Sequence, residues 1–337
     1  MPMDGRPQPN EDDDFLDQYT NMWKDPDVSG LVGFYRADPE AIRQITRDFF
    51  DLLHQYGVSR DDREAGLRAF DEIDQTDVFQ LEDLINKARI DWMLGNLEPD
   101  QRARAQAIPV RTAWTKLLNA CTIRLPSGGP GIVFDKSMSL WNTMVARACW
   151  VVMDDKNYDD HWGRQGNQLL CLALLYVLRG DFKALELAYD RFGTIPSVNN
   201  LTDVNWRRIA MGMNNFILAH EYGHALLNHL SEADSGNKSN TRMLEHDADV
   251  FALKCLVSSR DAPPSYAVGM LMRCFATVEE IAPRAVSTHP RWKERWALLK
   301  ADAYKATLPS PPSFIDDWFD GMEPKLIQWL VGCPPLH

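Results

Sequence analysis

Apolar residues along much of this chain recur at spacings of three and four, the period of a helix with one buried face. Over 41–56 the stripe reads Ile42, Ile45, Phe49, Leu52 and Leu53, and a second helical segment follows over 60–73. Further helices are predicted over 139–153 and 168–190, the latter apolar enough to belong in the core. Asp203 fits the N-cap of a longer helix running to about Leu230. The polar loop Ser231-Glu-Ala-Asp-Ser-Gly-Asn-Lys-Ser-Asn240 comes next, then a helix over about 241–259. The period shortens in one place. Thr122-Ile-Arg-Leu125 and Gly131-Ile-Val-Phe134 are β-prone and flank Pro126-Ser-Gly-Gly-Pro130, which predicts a hairpin. Beyond Pro309 a Trp-rich helix is predicted near 314–330, and no repeat of fixed period is present. The pattern predicts an α+β fold, predominantly α-helical, with a small β-sheet or hairpin. It divides the chain into a disordered acidic leader (1–14), an N-terminal helical region (15–120), a central domain (121–305) and a Pro- and Trp-rich segment packed on the core (306–337).

Composition narrows the function classes. The 337 residues are 45% apolar and 25% charged, ordinary globular values that exclude collagen-like and wholly disordered chains. A net charge of -12 without any Lys/Arg run argues against nucleic-acid binding, which draws on positive charge. Cys121, Cys149, Cys171, Cys255, Cys274 and Cys333 are widely spaced with no C-x-x-C pair, as in reduced thiols rather than a disulfide frame. The opening stretch MPMDGRPQPNEDDD resembles neither a secretory signal nor a transit peptide. The longest apolar run, 169–178, is about half the roughly twenty residues a bilayer crossing needs. A soluble cytoplasmic protein with no membrane span is expected.

The chemistry concentrates in His220-Glu-Tyr-Gly-His224, an H-E-x-x-H motif within the longest predicted helix. Histidines four apart lie about 40° apart around the axis and one turn up, so both rings can reach one metal ion. Glu221 stands beside them, placed to deprotonate a water held by the metal. Catalytic zinc takes three protein ligands and keeps a position open. The next helix supplies Glu245-His-Asp-Ala-Asp249, twenty-one residues beyond His224. Glu245 is the candidate third ligand, and Asp249, one turn on, can accept a hydrogen bond from a ligand histidine. Ala248 is small where the two helices must approach. His246 and Asp247 read as a solvated first turn. A metzincin would need its third histidine and a glycine where Leu230 and Leu227 stand. His229, nine residues after His220, falls about 180° around a continuous helix, faces away from the metal and is not a ligand.

These residues resemble the gluzincin metallopeptidases, most closely the HtpX-type family that includes the CAAX-prenyl endopeptidases. His220-Glu-Tyr-Gly-His-Ala-Leu-Leu-Asn-His229 is similar to that family's H-E-x-G-H-x-x-x-x-H helix, and Glu245-His-Asp-Ala-Asp249 to its E-x-x-A-D helix. Ser287-Thr-His-Pro290 with Arg295 is similar to its S-T-H-P-x-x-x-x-R segment. The resemblance implies a zincin-like catalytic domain binding zinc through His220, His224 and Glu245, with Glu221 as general base. It also places His289 and Arg295 near the reacting groups, binding substrate or stabilising an oxyanion. The interval between His224 and Glu245 is shorter than is usual in that family, and its transmembrane helices are absent. The short interval also resembles ImmA/IrrE-type peptidases, whose ligand stretch is similar to Glu245–Ala252, and soluble Lit-type peptidases offer another likeness. The expected activity is zinc-dependent endopeptidase cleavage of a protein or peptide substrate. A β-strand at the sheet edge, 122–125 or 131–134, could bind that substrate in extended form. The region ahead of the metal helix has two readings, an inhibitory cap or a recruiter of one partner. Two rivals remain: a catalytically silent metal-binding protein, and a metal-free helical scaffold using its tryptophans.

Overall fold

The computed structural model describes residues 11–22, 46–51, 53–54, 58–73, 78–113, 118, 120–153, 160–179, 183–185, 187–188, 191, 200–233, 238–257, 264–282, 291–305 and 313–332. Twelve of its helices are used below: α1 (Glu11–Met22), α2 (Arg60–Glu72), α3 (Val78–Leu94), α4 (Pro99–Gln106), α5 (Lys136–Met153), α6 (Asp160–Arg179), α7 (Asn200–Leu226), α8 (His229–Ala233), α9 (Lys238–Val257), α10 (Pro264–Ile281), α11 (Trp292–Lys305) and α12 (Ser313–Gly332). Three strands, β1 (Val110–Ala113), β2 (Ala120–Arg124) and β3 (Pro130–Asp135), form one sheet. The fold is α+β and predominantly helical, as the periodicity predicts. Among the described residues no helix is long and apolar enough to cross a membrane.

The hairpin forms where expected. β2 and β3 pair antiparallel with Thr122 opposite Ile132. Leu125 N–H donates to the Gly129 carbonyl (2.8 Å), and Gly128 takes the positive φ (87°) that the tight reversal requires. A third strand went unread. β1 lies inside the stretch expected to be helical, pairs parallel with β3 and makes the order β1-β3-β2. Four residues carry too little alternation to announce a strand, and its partner arrives only after the hairpin. The central strand runs straight into α5.

Helix α1 begins at Glu11, inside the stretch expected to be a disordered leader. Its first turn holds Glu11, Asp12, Asp13 and Asp14, which suit the positive end of a helix dipole. Asp13 and Asp17 pair with Arg111 of β1, and Leu16, fully buried, joins Leu125 and Val133 against the sheet. The principal core runs from Met93 to Leu330 and gathers α5, α6, α7, α9, α10 and α12. Fully buried Trp141 donates from its indole to the Ala173 carbonyl (2.8 Å), satisfying a polar atom that would otherwise be stranded. Most C-terminal aromatics serve this interior as well. Phe319 is buried, Trp296 donates to Asp316 (2.9 Å), and Trp329 is among the few exposed large apolar side chains.

Candidate metal centre

Helix α7 crosses the molecule between the sheet on one side and α9 on another. Its approach to α9 depends on a missing side chain. A Cβ on Gly223 would stand 3.0 Å from Ala248 Cα and 3.2 Å from its carbonyl oxygen, tight enough that the facing backbone would have to move away by a few tenths of an ångström. Gly223 and fully buried Ala248 therefore let the helices touch, bringing Glu245 beside the two histidines. His220 Nε2 and His224 Nε2 lie 3.0 Å apart. Glu245 reaches them with Oε2 at 3.4 Å and Oε1 at 3.5 Å respectively.

One nitrogen or oxygen from each of the three lies within 4.8 Å of the others, so the group could hold a metal ion. The donors suit zinc, which binds imidazole nitrogen and carboxylate oxygen. Ligands about 2.0–2.2 Å from a tetrahedral zinc stand roughly 3.3–3.5 Å from one another, close to the separations found. Glu245 and His220 are buried, and His224 is partly exposed.

Behind these residues lies a charged network. His220 Nδ1 sits 2.9 Å from Asp249 Oδ1. The fully buried Asp249 carboxylate accepts two hydrogen bonds from Arg295, Nε to Oδ2 at 2.9 Å and Nη2 to Oδ1 at 2.6 Å. Arg295 Nη1 points to Glu245 Oε2 at 3.5 Å, and the guanidinium lies 4.3 Å from the Trp292 ring centroid. Trp292 opens α11 with its backbone N–H on Glu279 (2.9 Å) and stacks on Phe275, so the cation rests on an anchored aromatic face. Burial opposes charge on every member, but the pairing wins. Arg295 is held above its usual value by Asp249 and Glu245, and Asp249 is brought down to about 2 by Arg295 and His220. His220 is raised to about 9, because the Asp249 and Glu245 carboxylates outweigh desolvation.

Glu221 has a different neighbour. Thr122 Oγ1 of β2 lies 2.8 Å from the Glu221 backbone carbonyl and 2.9 Å from its Oε2. Its single proton serves one acceptor at a time. The hydroxyl ties the edge of the sheet to the carboxylate next to the histidines.

The structure therefore brings His220, His224, Glu245, Glu221, Asp249 and Arg295 together, while His289 lies outside the described residues. His246 points elsewhere, with Nε2 2.7 Å from Asp302 of α11. Tyr222, two residues from each histidine, is buried on another side of α7, where burial and the nearby Asp91 push its phenol up. It lines a cavity of about 510 Å³ together with Asp91 and Thr112.

His229 corrects one expectation. The helix does not continue to Leu230 but ends at Leu226, whose carbonyl accepts from Arg104 of α4 (2.8 Å). Asn228 then adopts a left-handed φ of 62°, and the chain restarts as α8. Asparagine tolerates that conformation better than most residues. The turn brings buried His229 back so that its Nδ1 lies 2.9 Å from His224 Nδ1. His229 does not join the three-residue group but touches one member of it. Thr122 is a site neighbour that the sequence does not mark, since nothing local identifies a strand residue as the partner of a helix 99 positions later.

Residues 196–302, about a third of the chain, match Peptidase U49, a Lit-like peptidase family. This supports a peptidase and the Lit-type likeness, not the HtpX-type family that the three sequence segments most closely resemble. No curated protein and no solved structure matches the chain.

Proposed function

We propose that this protein is a zinc-dependent endopeptidase that hydrolyses peptide bonds of a protein substrate in the cytoplasm. The observation that carries the reading is the convergence of His220, His224 and Glu245 with Glu221 alongside, in a segment similar to a peptidase family. Zinc held by the three would supply a Lewis acid that polarises the scissile carbonyl and acidifies a water.

The chain's own groups account for the rest. Glu221 takes a proton from the attacking water on its carboxylate and delivers it to the departing amine nitrogen. Thr122 holds that carboxylate from β2. Asp249 fixes the His220 ring through Nδ1, and Arg295 keeps Asp249 ionised. With Nε and Nη2 both given to Asp249, Arg295 acts as a positioning residue rather than by touching substrate. The oxyanion donor role falls to His289, on the resemblance alone. β2 is an outer strand of the described sheet, and an extended peptide can add along its free edge.

Elemental analysis of the wild type and Glu245→Ala, with cleavage of an unfolded protein such as casein, tests the reading. About one zinc per chain is expected in the wild type and much less in the variant. Glu221→Gln should retain zinc while turnover falls by on the order of 10²–10⁴. A wild type that takes up no zinc when offered it, or a Glu221→Gln protein of undiminished activity, would overturn it.

A further inference from the structure

We infer that His229 is a positioning residue for His224: it accepts the His224 Nδ1 proton and so fixes the ring tautomer that presents Nε2 to a metal. The inference rests on the proposed metal site. His224 Nε2 faces His220 Nε2 and Glu245 Oε1; with a metal held among these three groups, Nε2 would offer it a lone pair and the ring proton would sit on Nδ1. That N–H meets His229 Nδ1 at 2.9 Å. Two facing nitrogens at this distance need one donor and one acceptor, so His229 is neutral with its own proton on Nε2. The two rings stand 74° apart with centroids at 5.0 Å, edge to face rather than stacked, which lets the two Nδ1 atoms meet. The backbone is shaped for it. Asn228 takes the left-handed conformation that ends α7, and α8 packs against both β2 and α9, burying the ring at the site.

The two ligand histidines thus lean on unlike groups. His220 has a carboxylate at Nδ1, and His224 has an imidazole. A carboxylate makes a ligand more basic and adds negative charge near the metal, whereas a neutral imidazole fixes the tautomer and adds none. A metal held by His220, His224 and Glu245 would keep more of its power to polarise a carbonyl than it would between two carboxylate-backed ligands.

The test uses the full chain and zinc alone, with affinity read by competition against a chromophoric chelator. His229→Leu removes the acceptor, and His229→Gln keeps an amide oxygen able to accept. His229→Leu should weaken zinc binding by about 10–100-fold, and His229→Gln should recover most of that loss. Nitrogen-15 spectra should show His224 protonated at Nδ1 in the zinc-loaded wild type and His229→Gln, and a mixture of tautomers in metal-free His229→Leu. Urea midpoints of the metal-free proteins serve as control. Zinc affinity of His229→Leu within twofold of wild type would overturn the inference while leaving the metal site standing. Equal weakening of both variants with an unchanged His224 tautomer would overturn it too. A wild type with no zinc affinity would overturn the site and the inference together.

Discussion

Two regions beside α7 drive their ionisable groups in opposite directions, towards the charged form in one and towards the neutral form in the other. Towards α9 and α11, Asp249 and Arg295 are both buried and both charged, each stabilised by the other and by Glu245, His220 and Trp292. In and around the sheet, Cys121 and Lys136 are pushed towards their neutral forms. Burial pushes the Cys121 thiol up to about 11, helped by the Glu221 carboxylate, and lowers Lys136, where β3 enters α5, to about 7. Burial penalises charge in both regions, and around Asp249 and Arg295 the opposite charges and hydrogen bonds outweigh that penalty. The site gains from this asymmetry: ions orient the ligands, while a neutral hydroxyl steadies Glu221.

The comparison is broken most severely by emptying one side of the ion pair. Asp249→Ala leaves a buried guanidinium with the longer contact to Glu245 and the Trp292 ring but without its paired carboxylate, and should destabilise the metal-free protein by about 3–5 kcal/mol. Zinc affinity should also fall by about 10–100-fold as His220 loses its acceptor. Adding Arg295→Met should return part of the stability but not the affinity, as urea unfolding and chelator competition would show. A single variant as stable as wild type would mean that the network is held together by something other than the charges.

Lys136→Met has the opposite sign. The folded-state value near 7 lies below the unfolded value of about 10.4, so between those pH values the unfolded chain binds more protons. This lysine's contribution is therefore most favourable above about pH 10.4 and worsens as pH falls towards 7. The methionine variant should be more stable than wild type by about 1–4 kcal/mol at pH 7, and the gap should narrow as pH rises towards 10. Paired urea titrations at pH 7 and 9.5 measure it, and a gap that does not change with pH would mean Lys136 is charged in the fold. The mildest change is Thr122→Val, which keeps the branched strand residue and removes the hydroxyl. Stability should drop by about 1 kcal/mol and casein cleavage by about 3–10-fold at unchanged zinc content. Unaltered cleavage would separate the sheet from the work of Glu221.

What was legible in the sequence was local. His220 and His224 stand one turn apart on one helix, and Glu245 and Asp249 one turn apart on the next, so period alone aligned each pair. The helix-to-helix approach was legible through Ala248, and the structure adds Gly223 opposite it. What depended on distant partners was not. Arg295 reaches Asp249 across 46 positions and Thr122 reaches Glu221 across 99. The end of α7 was hidden because Leu226, Leu227 and Leu230 sustain the apolar pattern through Asn228. Only the left-handed turn there, a backbone event, reverses the direction in which His229 points.

The order of residues along the chain has a consequence during synthesis. His220, His224 and Glu245 lie within one helical hairpin, so they can gather as soon as α9 is made. Arg295 follows Asp249 by 46 residues. At roughly 5–20 residues per second, the ligand hairpin precedes its guanidinium by about 2–10 seconds. The binding residues therefore assemble first, and the arginine that locks their geometry is among the last parts of the site to arrive.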